Sequence, residues 1–172
     1  MNAVIIENVL NELSTEVEYL DLNDEVRSEL TFGKDKFSSI CFKKLKKQTT
    51  RMNFKFNVNS YKGNFGITFN VNGVNNRLGS AVIAFDALNS KLACYNNVSN
   101  IIRYGNILAS VPFVYDSNRD YEVNIIIEDE IMTVYLDNSV ALTVRLPGVN
   151  NKNLAFYSNG VDVNYKEIKF YA

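Results

Sequence analysis

Histidine is absent from the 172 residues, and so is tryptophan. Without histidine there is no Ser–His–Asp triad, no histidine-held metal and little of the usual acid–base chemistry near neutral pH. Two prolines and eight glycines exclude a collagen-like or proline-rich chain. The two cysteines, Cys41 and Cys94, stand far apart among apolar neighbours. That spacing reads as buried free thiols and not as a disulfide scaffold. No apolar run approaches the ~18 residues of a membrane span. Met1 is followed by Asn2, Ala3, Val4, Ile5 and Ile6 with no basic region, and Glu7 interrupts the apolar stretch. A secretory signal is therefore not expected, and the reading is a protein made in the cytoplasm. Glycine-rich phosphate loops, CxxC pairs and nucleophile motifs are all missing, so no cofactor or metal is expected.

What is present is ordinary for a globular chain: 47% hydrophobic and 22% charged residues, with 11 Phe and 10 Tyr. The length fits one domain with a core large enough to need no staple. Net charge is −1, which gives no global field for nucleic acid. The charge is unevenly distributed, however. Met1–Leu30 holds eight acids against Arg27, and Thr31–Arg51 holds seven bases against Asp35. The remaining residues carry ten of each sign.

Helical period is confined to the start, where Ile6, Val9, Leu10, Leu13 and Val17 share one face. A short helix from about Ala3 to Leu13 is expected, with an extended arm as the alternative because Ile5 and Ile6 are β-branched. Beyond Glu16 the period becomes two. Met52, Phe54, Phe56 and Val58 alternate with polar residues, and apolar residues recur at every second position in Phe65, Ile67, Phe69 and Val71, then Tyr121, Val123, Ile125 and Ile127. Further strands are expected at 80–85, 91–95, 107–111, 131–136, 140–146, 154–157 and 166–171, and, earlier in the chain, at 17–22, 26–32 and 38–42. Lys62-Gly63-Asn64, Glu128-Asp129-Glu130, Asp137-Asn138 and Asn159-Gly160 supply the turns. About a dozen short strands predict an all-β, two-layer antiparallel sandwich over 31–172, with 1–30 as an acidic helix or arm and first strands.

The stretch YEVNIIIEDEIMTVYLDNSVALTVRLPG, followed by NLAFYSNGVDVNYKEIKFY, resembles the closing half of concanavalin A-like and laminin G-like jelly-roll sandwiches. Within them it is most similar to the sandwich appended to fructan hydrolases. The resemblance spans about Met52 to Ala172 and implies a lectin-like fold that hosts many functions.

Hydrolases on such sandwiches place carboxylates along one strand face to flank the sugar bond. The nearest match, Glu16-Val17-Glu18-Tyr19-Leu20-Asp21, has the wrong acid at two positions, and its third carboxylate turns away in a strand. An enzyme is not expected. A sugar site needs an aromatic platform and planar polar groups. Tyr95, Asn96, Asn97, Arg103 and Tyr104 offer these within ten residues, and Asn72, Asn75, Asn76 and Arg77 form a second candidate loop. Asparagine also builds turns, and the chain has 25 of them. Asp86, or Asp137 with Asn138, lacks the spacing of a calcium loop.

Two functions follow. The first is a structural or decoration protein of a larger assembly, such as a phage or viral particle, that also touches glycans. Ile6, Val9, Leu10, Leu13 and Val17 would form its apolar anchor, and Lys43, Lys44, Lys46 and Lys47 its basic contact. Its partners would be other proteins, a second copy of the chain included, with no nucleic acid and no membrane insertion. The second is a carbohydrate-binding module, for fructan or another glycan, of a polysaccharide-degrading system.

Exposed opposite-charge pairs are worth only ~0–1 kcal/mol each, whereas opposed patches between subunits steer association. Removing Met1–Thr15 is expected to leave a folded protein that no longer joins its assembly. Unfolding of the truncated chain, beside a full chain that stays monomeric at every salt concentration, would end the assembly reading.

Overall fold

The computed structural model describes residues 17–18, 29–33, 37–42, 50–59, 63–69, 80–98, 106–146 and 154–171. Thirteen strands are among them: β1 (Val17–Glu18), β2 (Leu30–Phe32), β3 (Phe37–Phe42), β4 (Arg51–Val58), β5 (Asn64–Phe69), β6 (Ser80–Asp86), β7 (Lys91–Val98), β8 (Asn106–Pro112), β9 (Tyr121–Glu128), β10 (Ile131–Leu136), β11 (Ser139–Arg145), β12 (Leu154–Asn159) and β13 (Val163–Tyr171). They form two layers. Sheet A has the order β1-β3-β12-β5-β6-β7-β8, and sheet B the order β11-β10-β9-β4-β13-β2. Every pairing is antiparallel except β1 with β3, where Val17 lies opposite Cys41. The expected helix or arm, with Ile6, Val9, Leu10 and Leu13, lies outside the described residues, as do Lys43, Lys44, Lys46 and Lys47.

The two-residue period translates directly into burial. Met52, Phe54, Phe56 and Val58 of β4 are enclosed while Asn53, Lys55 and Asn57 are half-exposed, and β9 repeats the pattern. Phe65, Ile67, Phe69, Tyr121, Val123, Ile125 and Ile127 join the same core. Two hairpins of sheet B turn in two residues each. Asp129 and Glu130, then Asp137 and Asn138, all have φ between 48° and 67°. That backbone suits the right-handed twist of the paired strands, and asparagine and aspartate tolerate it well.

Two turn signals do something other than close hairpins. Gly63 directly precedes β5 of sheet A, the strand that follows β4 of sheet B. Asn159-Gly160 leads from β12 of sheet A to β13 of sheet B. Both are therefore crossings between layers, and they meet. A Cβ on Gly63 would lie 1.9 Å from the Asn159 carbonyl oxygen, so only glycine fits. Beside them the Asn59 amide donates to the Asp162 carbonyl at 2.9 Å, and the Ser158 hydroxyl donates to the Val161 carbonyl at 2.6 Å. The dipeptide was recognisable as a turn; the sheet on which each flanking strand would pair was not.

Between the layers, Tyr165 of β13 is fully buried among Phe32, Phe54, Phe65 and Phe156, with ring centroids 4.9–6.1 Å away. Its hydroxyl crosses the core to donate to the Tyr157 carbonyl of sheet A at 2.7 Å, with the Gly66 carbonyl at 3.4 Å. Tyr115 closes one end of the core, donating to the Lys91 carbonyl at 2.8 Å. Burial pushes both phenols well above their ordinary value of 10.0. It pushes the Cys94 thiol up to about 12, as expected of a thiol facing the core.

The buried phenol sets two expectations for urea unfolding. Tyr165→Phe strands a buried carbonyl and costs about 1–3 kcal/mol, and Phe56→Ala costs about 3–5 kcal/mol. As pH rises past about 10 the unfolded phenols release protons while the folded ones do not, so the unfolded state binds fewer protons and stability falls. In Tyr165→Phe that alkaline decline is shallower.

Candidate functional site

The two sheets present different outer faces. In sheet A, β5 and β6 are buried on both sides. Phe65, Ile67 and Phe69 face the core, and Asn64, Gly66 and Thr68 on the opposite side are also enclosed. Val82, Ala84, Ala93, Tyr95 and Tyr157 continue this covered outer face. In sheet B the outer face meets solvent.

Strand register arranges the sheet B face into two adjacent rows across five strands. One runs Tyr171, Arg51, Ile126, Thr133, Thr143; the next runs Lys169, Asn53, Asn124, Tyr135, Val140. At ~4.8 Å between strands each row is about 19 Å long, room for several sugar rings. Arg51 lies over the Tyr171 ring, its guanidinium carbon 5.0 Å from the centroid. The Asn53 amide donates to Asn124 Oδ1 at 2.5 Å. Asn53 Nδ2 also lies 3.5 Å from Glu122 Oε1, so Asn53 Oδ1 and Asn124 Nδ2 are the amide atoms placed to receive and give further hydrogen bonds.

Charge on this face is concentrated at the other end and is paired there. Lys55 Nζ lies 3.1 Å from Glu167 Oε2, and Lys166 Nζ lies 3.2 Å from Asp120 Oδ1. The hydrogen bond to Glu167 and its charge hold Lys55 protonated beyond the ordinary lysine range. Arg119 pairs with Asp137 and covers the Tyr121 ring at 4.3 Å. The residues of the two rows include no carboxylate, Glu122 of the adjoining row reaches Asn53 at 3.5 Å, and the rows' cations, Arg51 and Lys169, lie on adjacent strands.

The sequence-derived candidates lie elsewhere. Tyr95 is on the covered face of sheet A, 5% exposed, opposite Val82 and Ile107. Asn96 follows it, half-buried, and Asn97 continues β7. Arg103, Tyr104, Asn72, Asn75, Asn76 and Arg77 lie outside the described residues. Asp86, set aside as a calcium ligand, binds the Asn89 backbone amide at 3.1 Å and side-chain amide at 2.8 Å. Among the described residues no cluster of three acids or thiols is placed to hold a metal.

The sheet B rows join residues far apart in sequence, so the sequence alone favours the asparagine-rich loops. A signal was available. Asparagine is depleted in strands, yet outward positions of three neighbouring strands hold Asn53, Asn57, Asn124 and Asn164. Two of these have structural partners, Asn57 donating to the Arg119 carbonyl and Asn164 to Glu29. Asn53 and Asn124 hold each other.

Solved structures share this arrangement of layers. The carbohydrate-binding module CBM66 from Bacillus subtilis matches with a TM-score of 0.62 at 9% identity, over 90% of this chain and 100% of that one. The concanavalin A-like sandwich is the fold of this chain. Galectin LEC-6 from Caenorhabditis elegans matches at 0.58 with 10% identity, over 86% and 99% of the two chains. A laminarinase from Flavobacterium sp. UMI-01 matches at 0.59 with 13% identity, over 90% and 84%. No family model matches the chain, and no curated protein does. At such identities the concanavalin A-like likeness concerns fold alone, and the same fold serves binding proteins and an enzyme.

Proposed function

We propose that the chain is a non-catalytic carbohydrate-binding module that takes a glycan on the outer face of sheet B. The paired amides Asn53 and Asn124, set on strands that asparagine disfavours and next to the Arg51–Tyr171 stack, carry this reading. Residues that cost strand propensity without filling the core serve something other than the fold. Tyr171 and Tyr135 offer ring faces for the C–H side of a sugar, and the amides and threonines answer its hydroxyls. The solved structures described above speak for this reading over display on a phage or viral particle.

Hydrolysis of a glycosidic bond needs two carboxylates facing each other across it. Beside the rows on sheet B only Glu122 reaches a row residue, Asn53 at 3.5 Å, and Glu167 and Asp120 are paired with Lys55 and Lys166. On β12, β5, β6, β7 and β8 the sole acid is Asp86, which is engaged with Asn89. Binding without turnover is the chemistry these surfaces support.

A glycan array with the full chain, followed by calorimetry on the best ligand, tests the proposal. Tyr171→Ala and Asn124→Ala are each expected to weaken binding by about tenfold or more, the effect of losing ~1.4 kcal/mol, with the melting temperature unchanged. Lys55→Ala, at the charged end, is expected to bind as wild type. Absence of binding across a broad array, or binding indifferent to both substitutions, would remove the sheet B site.

A further inference from the structure

We infer that the ligand of the sheet B face is acidic: a glycan bearing uronic acid carboxylates, one of which is held between Arg51 and Lys169. This rests on the binding face proposed above and names the class of sugar it takes. Arg51 of β4 stands opposite Tyr171 of β13, and Lys169 of β13 stands opposite Asn53 of β4. The two cations therefore occupy diagonal positions of one strand pair. Their side chains leave the outer side of the sheet roughly 7 Å apart, and both residues are exposed there.

Their surroundings set the pair apart. On and beside sheet B, Lys55 pairs with Glu167, Lys166 with Asp120, Arg119 with Asp137 and Arg145 with Glu130. Arg51 and Lys169 form no ion pair among the described residues. The acids on the same side of the sheet do not answer them. Glu167 is held by Lys55, and Glu122 lies 3.5 Å from the Asn53 amide. Glu128, exposed at the end of β9, forms no ion pair among the described residues either. Like charges at neighbouring positions of a sheet repel, and an anion set between them relieves the repulsion. A ligand can supply that anion.

The groups around the pair choose the anion. Lys169 brings a point charge, and Arg51 a planar fork of N–H donors that matches a carboxylate with two parallel hydrogen bonds. The Arg51 guanidinium is held over the Tyr171 ring, which restricts its swing and leaves its N–H fork for a ligand. A uronic acid joins its carboxylate directly to the sugar ring. An anion on Arg51 therefore brings a C–H face beside the exposed Tyr171 and hydroxyls beside the Asn53 and Asn124 amides. A sulfate ester has the same charge on a tetrahedral group, set off from the ring by a bridging oxygen, and matches the fork less closely.

Calorimetry with the full chain tests this on polygalacturonate and alginate, each beside its full methyl ester, and on dextran sulfate beside dextran. At least one uronate polymer is expected to bind, with its uncharged ester at least about tenfold weaker. That gap is expected to shrink as salt rises from about 50 to about 500 mM. Lys169→Gln and Arg51→Gln are each expected to weaken uronate binding about tenfold or more at low salt. Lys91→Gln, which removes the same charge from sheet A, is expected to bind as wild type, and all three variants should melt as wild type does. Esters or dextran bound as tightly as the acids, dextran sulfate preferred to both uronates, or an equal loss with Lys91→Gln would overturn the inference. A neutral glycan from the array bound where no uronate is would overturn it too, while leaving the sheet B face as a glycan site. Absence of binding to every polymer and to the whole array removes that face and this inference together.

Discussion

The hydroxyl of Tyr165 ties the two layers together. It is fully buried, surrounded by phenylalanine rings, and donates to a main-chain carbonyl of the opposite sheet. A sandwich core otherwise relies on apolar contact, which has no direction and tolerates sliding of one layer over the other. A hydrogen bond made in a water-free interior has direction, and misplacing it leaves a polar group stranded. Tyr165 therefore fixes where β13 stands relative to β12 and β5, and through β13 the position of β4 and the rest of sheet B.

Close main-chain approaches occur beside that contact. Gly66, whose carbonyl lies near the hydroxyl, has φ +155°, and a Cβ there would meet the Ile83 carbonyl oxygen at 1.9 Å. Gly63 makes the equivalent close approach at the crossing. Both glycines serve proximity: strands and crossings come nearer to one another than any side chain permits. The core is ordered by these main-chain approaches as well as by its rings.

Much of this was legible in the chain. Alternation along β4 and β9 identified the core residues one by one, because a half-buried strand must segregate its two faces. Asp137-Asn138 marked its hairpin by local backbone preference. Asn159-Gly160 marked its turn too, but a turn dipeptide reports local bending and carries nothing about which sheet receives the next strand. The sheet B surface was illegible for a related reason. Tyr171, Arg51 and Ile126 stand side by side, yet 120 residues separate the first two, and only register brings them together. Loops rich in asparagine drew attention because their residues are adjacent in sequence.

β13 leaves the ribosome after the twelve strands before it, yet its place is between β4 and β2 in the interior of sheet B. Until it arrives, β4 has β9 on one side and nothing on the other, and Phe54 lacks the ring of Tyr165. Pairing Tyr165 with Phe56 closes a loop of more than a hundred residues, a contact whose entropy must be met before it stabilises anything. Chains dominated by such distant pairings fold in milliseconds to seconds. During synthesis β4 therefore stays an open edge until β13 has been made, the interval in which an unpaired apolar strand is most exposed to wrong partners.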